Sequence, residues 1–324
     1  MFAILGLLGI AMAGAAVTSL SMTTGAEADD VVPQDTKTDD PEVGTQIGTE
    51  ADPDSSTTDP DDPDPEPAAE TPETDTTQYG TDECDIIYSG YTDDTVDGGA
   101  GNDHLDGEGG DDTLIGGTGM DVLHGGLGTD TLIGGEDGDA LYGHMQDDHL
   151  DGGAGNDTLN GGDGHDTMIG GGGDDMALGG SGDDIMIGGV GNDTLQGGIG
   201  DDTIDGREET SDAQQDFLNG GRGDDTLIAS NDDIAHGSSG NDNFVVGDWI
   251  SKGQNATIKD FDTTEDSLII AYDLSTGLPD VAVATTNGNL EVLLNGQIVA
   301  TLNGVQELPD TAIQILDIND PLVA

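Results

Sequence analysis

Residues 197–205 read "GGIGDDTID", after "GGVGNDTLQ" (188–196) and "GGSGDDIMI" (179–187). Each nonapeptide carries a glycine pair, a third glycine at position 4, an aspartate at position 6 and an apolar residue at position 8. From Gly80 to Asp205 the unit recurs fourteen times without a gap. A long unit, "GREETSDAQQDFLN" (206–219), then "GGRGDDTLI" (220–228), a shortened "ASNDDIAH" (229–236) and "GSSGNDNFV" (237–245) bring the total to eighteen.

Self-similarity at a short fixed period marks a stacked array, in which one repeat cannot bury its own apolar side chain but neighbours together can. Positions 7–9 alternate outward, inward and outward, as a short strand does, with position 8 inward. Glycines at 1, 2 and 4 permit positive φ and close backbone approach, which assigns a tight turn with exposed carbonyls to positions 1–6. One buried Leu returns only about 1.5–3 kcal/mol, little against the ordering of nine backbones.

Charge makes the balance worse. The 324 residues include 69 acidic side chains against five basic ones, a formal charge of −64, and only 3% are aromatic. Such a surface repels nucleic acid and anionic membranes and attracts cations. Position 6 is aspartate in every unit: Asp85, Asp94, Asp103, Asp112, Asp121, Asp130, Asp139, Asp148, Asp157, Asp166, Asp175, Asp184, Asp193, Asp202, Asp216, Asp225, Asp233 and Asp242. Stacking aligns these carboxylates, and a divalent cation between turns reverses the sign of their repulsion. The turn offers only carboxylate and carbonyl oxygen, a flexible donor set that suits Ca²⁺ better than Mg²⁺ or Zn²⁺.

The pattern G-G-x-G-x-D-x-U-x resembles the repeats-in-toxin (RTX) family of hemolysin-type calcium-binding proteins over residues 80–245. The resemblance implies an all-β fold, a right-handed parallel β-roll with two nonapeptides per 18-residue turn. It implies several calcium ions, each between the turns of repeats n and n+2, held by position 6 carboxylates and turn carbonyls. Asp103 then shares a row with Asp121, and Asp112 with Asp130. It also implies type I secretion from a Gram-negative cell and folding outside, where calcium is abundant. "ATIKDFDTTEDSLII" (256–270) resembles the flank that commonly follows such arrays.

The match is uneven. "GGEDGDALY" (134–142) has Asp137 at position 4, and "GHMQDDHLD" (143–151) has His144 and Gln146 at positions 2 and 4. Side chains there make the turn costlier, and the first two units are degraded as terminal caps often are. Weaker calcium binding is expected at these places and at the long unit. Asp202 is expected to lack a regular partner on its C-terminal side. Asp201 is expected to face outward and contribute field rather than a bond.

The flanks differ from the array. Residues 1–22 are apolar and uncharged, and read as a short helix that is either a secretory signal or an uncleaved membrane anchor. "AEA" (26–28) resembles a cleavage site, but the basic n-region is missing. Residues 23–79, with eight of the eleven prolines, read as a disordered acidic linker. In 246–324, "VAVATT" (281–286), "LEVLL" (290–294) and "QIVATL" (297–302) alternate as strands, with Asn-Gly at 287–288, 295–296 and 303–304. Asn-Gly supplies type I′ hairpins, so this end reads as an antiparallel β cap and secretion region.

No catalytic constellation accompanies the repeats. His104, His124, His144, His149, His165 and His236 fall at scattered positions without metal-ligand spacing, and Cys84 has no partner for a disulfide. Nucleophile triads, zinc-protease helices and phosphate loops are absent from the sequence. The chain reads as a secreted, non-catalytic calcium-binding protein. The alternatives are a cell-surface adhesin or surface-layer protein on a calcium-stiffened stalk, and a polysaccharide-acting module of an extracellular enzyme.

Overall fold

A computed structural model describes residues 74–207, 214–309 and 311–318. The apolar segment 1–22 and nearly all of the linker 23–79 lie outside them. Every regular element described is a β-strand apart from one 3₁₀ turn, Leu274–Thr276.

From the first strand to Ser267–Tyr272, successive strands alternate between two sheets, of 12 and 13 strands, and pair in parallel within each. Sheet 1 starts at Thr77–Tyr79 and sheet 2 at Ile86–Tyr88. Each strand pairs with the strand one full turn later: Thr113 aligns with Thr131, Leu114 with Leu132 and Ile115 with Ile133. The register of 18 residues means two nonapeptides per turn, and eighteen units give nine turns of parallel β-solenoid. The first strand, Thr77–Tyr79, already belongs to sheet 1, although the linker reading extended to residue 79.

The strands are longer than the sequence reading allowed. A typical one, Thr113–Thr118, covers positions 7–9 of one unit and 1–3 of the next, so only positions 4–6 turn. Its alternation buries Leu114 at position 8 and Gly116 at position 1. Half of the inward places are therefore glycine, which keeps the two sheets close and leaves room inside for a group from the turn. The position 8 side chains from both sheets stack into one core running from Val96 to Phe244, nearly all without solvent exposure.

The irregular units leave the ladders intact. Thr194 aligns with Phe217 and Thr203 with Thr226, offsets of 23 residues, so both ladders stay in register across the long unit. The shortened unit gives an offset of 17, from Thr226 to Asn243. Where a side chain replaces glycine, the backbone keeps the glycine conformation: φ is 76° at Asp137, 85° at His144 and 75° at Gln146. Non-glycine residues are strained there, as the sequence suggested.

The solenoid continues beyond residue 245. Ala256–Ile258 extends sheet 2 and Ser267–Tyr272 extends sheet 1, both in parallel. The antiparallel part is Val281–Thr286, Asn289–Leu294 and Gln297–Leu302, the last of which pairs in parallel with Ala256–Ile258. Asn287, Gly288, Asn295 and Gly296 all have positive φ, as a type I′ turn requires. At 303–304 only Gly304 does, and the chain leaves the sheet there instead of turning back. Leu290, Val292 and Leu302 pack with Phe244, Phe261 and Leu268, closing the open end of the core.

Candidate metal centre

The turn delivers position 6 into the interior. From Asp94 to Asp242 these aspartates are at most 3% exposed, while Asp85, at the degraded end, is half-buried. They form two rows. Row 1 runs Asp94, Asp112, Asp130, Asp148, Asp166, Asp184, Asp202, Asp225 and Asp242. Row 2 runs Asp85, Asp103, Asp121, Asp139, Asp157, Asp175, Asp193, Asp216 and Asp233. Within each row the backbone N–H of one aspartate donates to Oδ1 of the next: Asp94 to Asp112 at 2.7 Å, Asp157 to Asp175 at 2.8 Å, Asp184 to Asp202 at 2.9 Å. The aspartate carbonyl is used as well, accepting from position 7 of the next turn, as in Thr113 to Asp94 at 2.8 Å.

The second carboxylate oxygen is left over. Oδ2 is buried and without a hydrogen-bond partner in every unit from Asp103 to Asp202, and at Asp225. It points at the position 1 glycine of its own unit. A Cβ on Gly170 would stand 2.5 Å from Oδ2 of Asp175 and 2.6 Å from the carbonyl oxygen of Gly188, one turn on. Glycine is required there because two oxygens from adjacent turns converge where a side chain would begin.

A buried, half-satisfied carboxylate resists ionisation. Burial, reinforced by the charges of neighbouring aspartates, pushes Asp112, Asp139, Asp148, Asp175, Asp184 and Asp225 up to about 7, although the N–H bond to Oδ1 pulls the other way. Asp130, Asp202 and Asp242 rise to about 6 for the same first reason. A cation beside Oδ2 would favour the ionised form of these carboxylates and offset their mutual repulsion. The free donors are oxygen only, and they suit a hard cation. Among the described residues no group of three or more His, Cys, Asp or Glu side chains is gathered for a metal, so main-chain carbonyls would have to complete any coordination here.

The ends of the rows differ. Oδ2 of Asp85 accepts the N–H and the hydroxyl of Thr81, and Oδ2 of Asp233 accepts the N–H of Ser230 at 2.6 Å. Protein donors stand there where the regular units leave the oxygen bare. At the glycine-poor units the ladder is unchanged: Asp139 and Asp148 keep both the Oδ1 bond and the bare Oδ2.

Two expectations are corrected. Asp202 does have a regular C-terminal partner, Asp225, whose Oδ1 accepts its N–H at 2.9 Å, because the row stays in register across the long unit. Asp201 makes bonds: its N–H donates to Oδ1 of Asp183 at 2.9 Å, and its own Oδ1 accepts from the N–H of Asp224 at 2.8 Å. Position 5 thus forms an outer ladder directed opposite to the inner one, since an exposed side chain reaches forward one turn and the buried aspartate reaches back.

One member escaped the sequence reading. The N–H of Asp242 donates to Oδ1 of Asp266 at 3.0 Å, which extends row 1 into the cap. Oδ2 of Asp266 accepts from the N–H of Asp262 at 2.7 Å. "DSL" (266–268) keeps the position 6–8 phase of the repeats without their glycines, and that was the available signal. The histidines also divide differently from their scatter in sequence: His104, His124 and His144 come together on the outer face of sheet 2.

The sequence matches the model of the family described as RTX calcium-binding nonapeptide repeat (4 copies) at residues 79–114, 88–123, 106–141, 115–150, 142–177, 178–209 and 211–244. Together these cover 165 of the 324 residues. No curated protein matches the chain. Among solved structures, the extracellular lipase LipA from Serratia marcescens aligns at 16% identity with a TM-score of 0.23, over 67% of this chain. The chain spans 40% of the length of that lipase.

Proposed function

The chain belongs to the family of RTX calcium-binding nonapeptide-repeat proteins, and we propose that its two aspartate rows are loaded with several calcium ions on which folding of the array depends. The observation that supports this most is the unbroken series of buried, unpartnered Oδ2 oxygens from Asp103 to Asp202. Hydrogen bonding can satisfy one oxygen of each carboxylate, but the other, charged and desolvated, destabilises the fold unless a cation lies beside it. The position 6 aspartates would hold the ions, with carbonyls such as that of Gly188 as neighbouring donors. Calcium supplies positive charge that tolerates flexible oxygen ligation.

On this reading the protein is secreted by a type I route, folds when it meets extracellular calcium, and acts as a structural or binding module without catalysis. Extracellular calcium modules bind at about 10⁻⁴–10⁻³ M, weak enough to leave the chain empty and unfolded in the cytosol. Circular dichroism of the full chain during a calcium titration, with Mg²⁺ as control, tests it. The expected result is a disordered spectrum without calcium and a β spectrum with it. A β spectrum of equal intensity at neutral pH in excess chelator would overturn the calcium dependence.

A further inference from the structure

Position 8 of the array changes character in one place. Seven leucines succeed one another from Leu105 to Leu159, and then "TMIGGGGDDMALGGSGDDIMIGG" (167–189) sets Met168, Ala177 and Met186 into the core. Met168 and Met186 align one turn apart on Thr167–Gly172 and Ile185–Val190 of sheet 1. Ala177 lies on Met176–Ser181 of sheet 2, between Leu159 and Leu195 in its ladder. Both methionines are without solvent exposure and belong to the same apolar core as Leu159 and Leu195. Methionine is unbranched and flexible and fills the space that a small neighbour leaves, so the pair closes the core around Ala177. Met120, Met145 and Met176 are placed differently: each is more than half exposed.

A thioether is the one kind of group in this core whose polarity chemistry can change. Hydrogen peroxide transfers an oxygen atom to the sulfur: the O–O bond breaks, an S–O bond forms, sulfur is oxidised by two electrons, and the peroxide leaves as water. The sulfoxide carries a strong acceptor oxygen, and the folded array has no donor for it. Both strands are paired on both sides, so their N–H groups are committed to the ladders. Among the described residues, every buried side-chain polar atom without a partner is itself an oxygen. Ionised beside a cation, the row carboxylates donate nothing. A buried acceptor left unpaired destabilises the fold, and a core with one side chain per unit has little apolar area to offset it.

We propose that Met168 and Met186 are a modification site that acts as an oxidation lock on folding. In the unfolded chain a peroxide converts them to sulfoxides, which bar closure of the array around Ala177. The closed array shields them from the same reagent. The lock rests on the calcium reading only for what closes the array: where calcium drives folding, calcium decides which of the two outcomes a peroxide has. Reduction by a thiol-dependent methionine sulfoxide reductase removes the lock.

The test treats the full chain with hydrogen peroxide in Ca²⁺ and, separately, in chelator with urea, so that the second sample is unfolded whatever holds the array together. Peptide mapping by mass spectrometry reads each methionine. Circular dichroism after transfer to Ca²⁺ reads refolding. The expected result is sulfoxide at Met120, Met145 and Met176 in both samples, and at Met168 and Met186 in the unfolded one alone. The calcium concentration at half of the β signal should rise about tenfold or more in the chain oxidised while unfolded. The double variant Met168→Leu, Met186→Leu is a volume-conserving exchange, and after the same treatment it should refold at the calcium concentration of its untreated sample. Oxidation of Met168 and Met186 in Ca²⁺ as fast as that of Met120 would overturn the proposal. So would unchanged refolding of the chain oxidised while unfolded, or an equal loss of refolding in the double variant. Should the double variant fail to fold, the mapping and refolding of the unsubstituted chain still decide. A β spectrum of the untreated chain in chelator without urea overturns the calcium reading alone.

Discussion

The backbone N–H of Asp202 donates to Oδ1 of Asp225 at 2.9 Å across 23 residues, where a regular turn spans 18. The same bond, in the same direction, links Asp184 to Asp202 at the regular interval. The inner ladder therefore follows position in the coil and not distance along the chain. From Asp103 to Asp202 the two oxygens of each carboxylate differ: Oδ1 ties one turn to the next, and Oδ2 is buried without a hydrogen-bond partner, where the proposed cation would lie.

These duties separate in Asp157→Asn. Asparagine keeps an oxygen for the N–H of Asp139, which now donates to Oδ1 of Asp157 at 2.7 Å. It removes the desolvated charge. The metal-free fold should gain stability and the calcium-loaded fold should lose it. Urea unfolding with chelator and with calcium should give midpoint shifts of opposite sign; shifts of the same sign would mean that charge at Oδ2 has no part in binding.

Asp157→Ala and Asp175→Ala remove both duties from one row. Each strands a buried N–H, of Asp139 and Asp157 respectively, at a cost of about 1–3 kcal/mol. Each should also raise the calcium concentration needed for folding. Asp151→Ala, on the outward face at position 9, should change neither by a comparable amount. Calcium titrations by circular dichroism on the three variants check the assignment, and equal effects would displace the frame.

Glycine at position 1 has a steric role that a nearby glycine lacks. In Gly170→Ala the new Cβ meets Asp175 Oδ2 and the Gly188 carbonyl oxygen at 2.5 and 2.6 Å, whereas at Gly172 nothing lies within 4 Å and φ is ordinary. Overpacking of this kind costs about 1–3 kcal/mol, and it falls where the cation would lie. Gly170→Ala should lower both the thermal midpoint in calcium and the calcium affinity. Gly172→Ala should leave both near wild type.

Proton and calcium should substitute for each other. Asp112, Asp130, Asp148 and Asp202 titrate at about 6 to 7 in the fold, against an ordinary 3.8. A carboxyl whose pKa is raised by folding stabilises the fold fully below its unfolded value, and that contribution is lost as pH rises through the folded one. Without calcium, β structure should therefore be greater near pH 4 than near pH 7.5, fading across the window from 3.8 to about 7. With calcium, half-saturation should shift to higher concentration as pH falls through the same window. Circular dichroism at a series of pH values, with and without chelator, reads both; a metal-free signal that grows with pH would contradict the sign.

Period, phase and polarity were legible in the sequence. Aspartate at position 6 and an apolar residue at position 8 recur in phase through eighteen units, and that is enough to require a stacked array with a thin core and an acidic turn. The three antiparallel strands of the cap were legible from alternation and Asn-Gly turns. What tertiary structure alone decided follows from the winding. Two units per turn bring residue i beside i+18 and, one pleat over, i+20. Only that closure brings the Gly188 carbonyl onto Gly170 and Asp175, gives Asp201 a partner in Asp224, recruits Asp266 without a glycine repeat, and sets His124 against His144. A nonapeptide lists the donors, but which oxygen is satisfied and which is left bare depends on the turn above and the turn below.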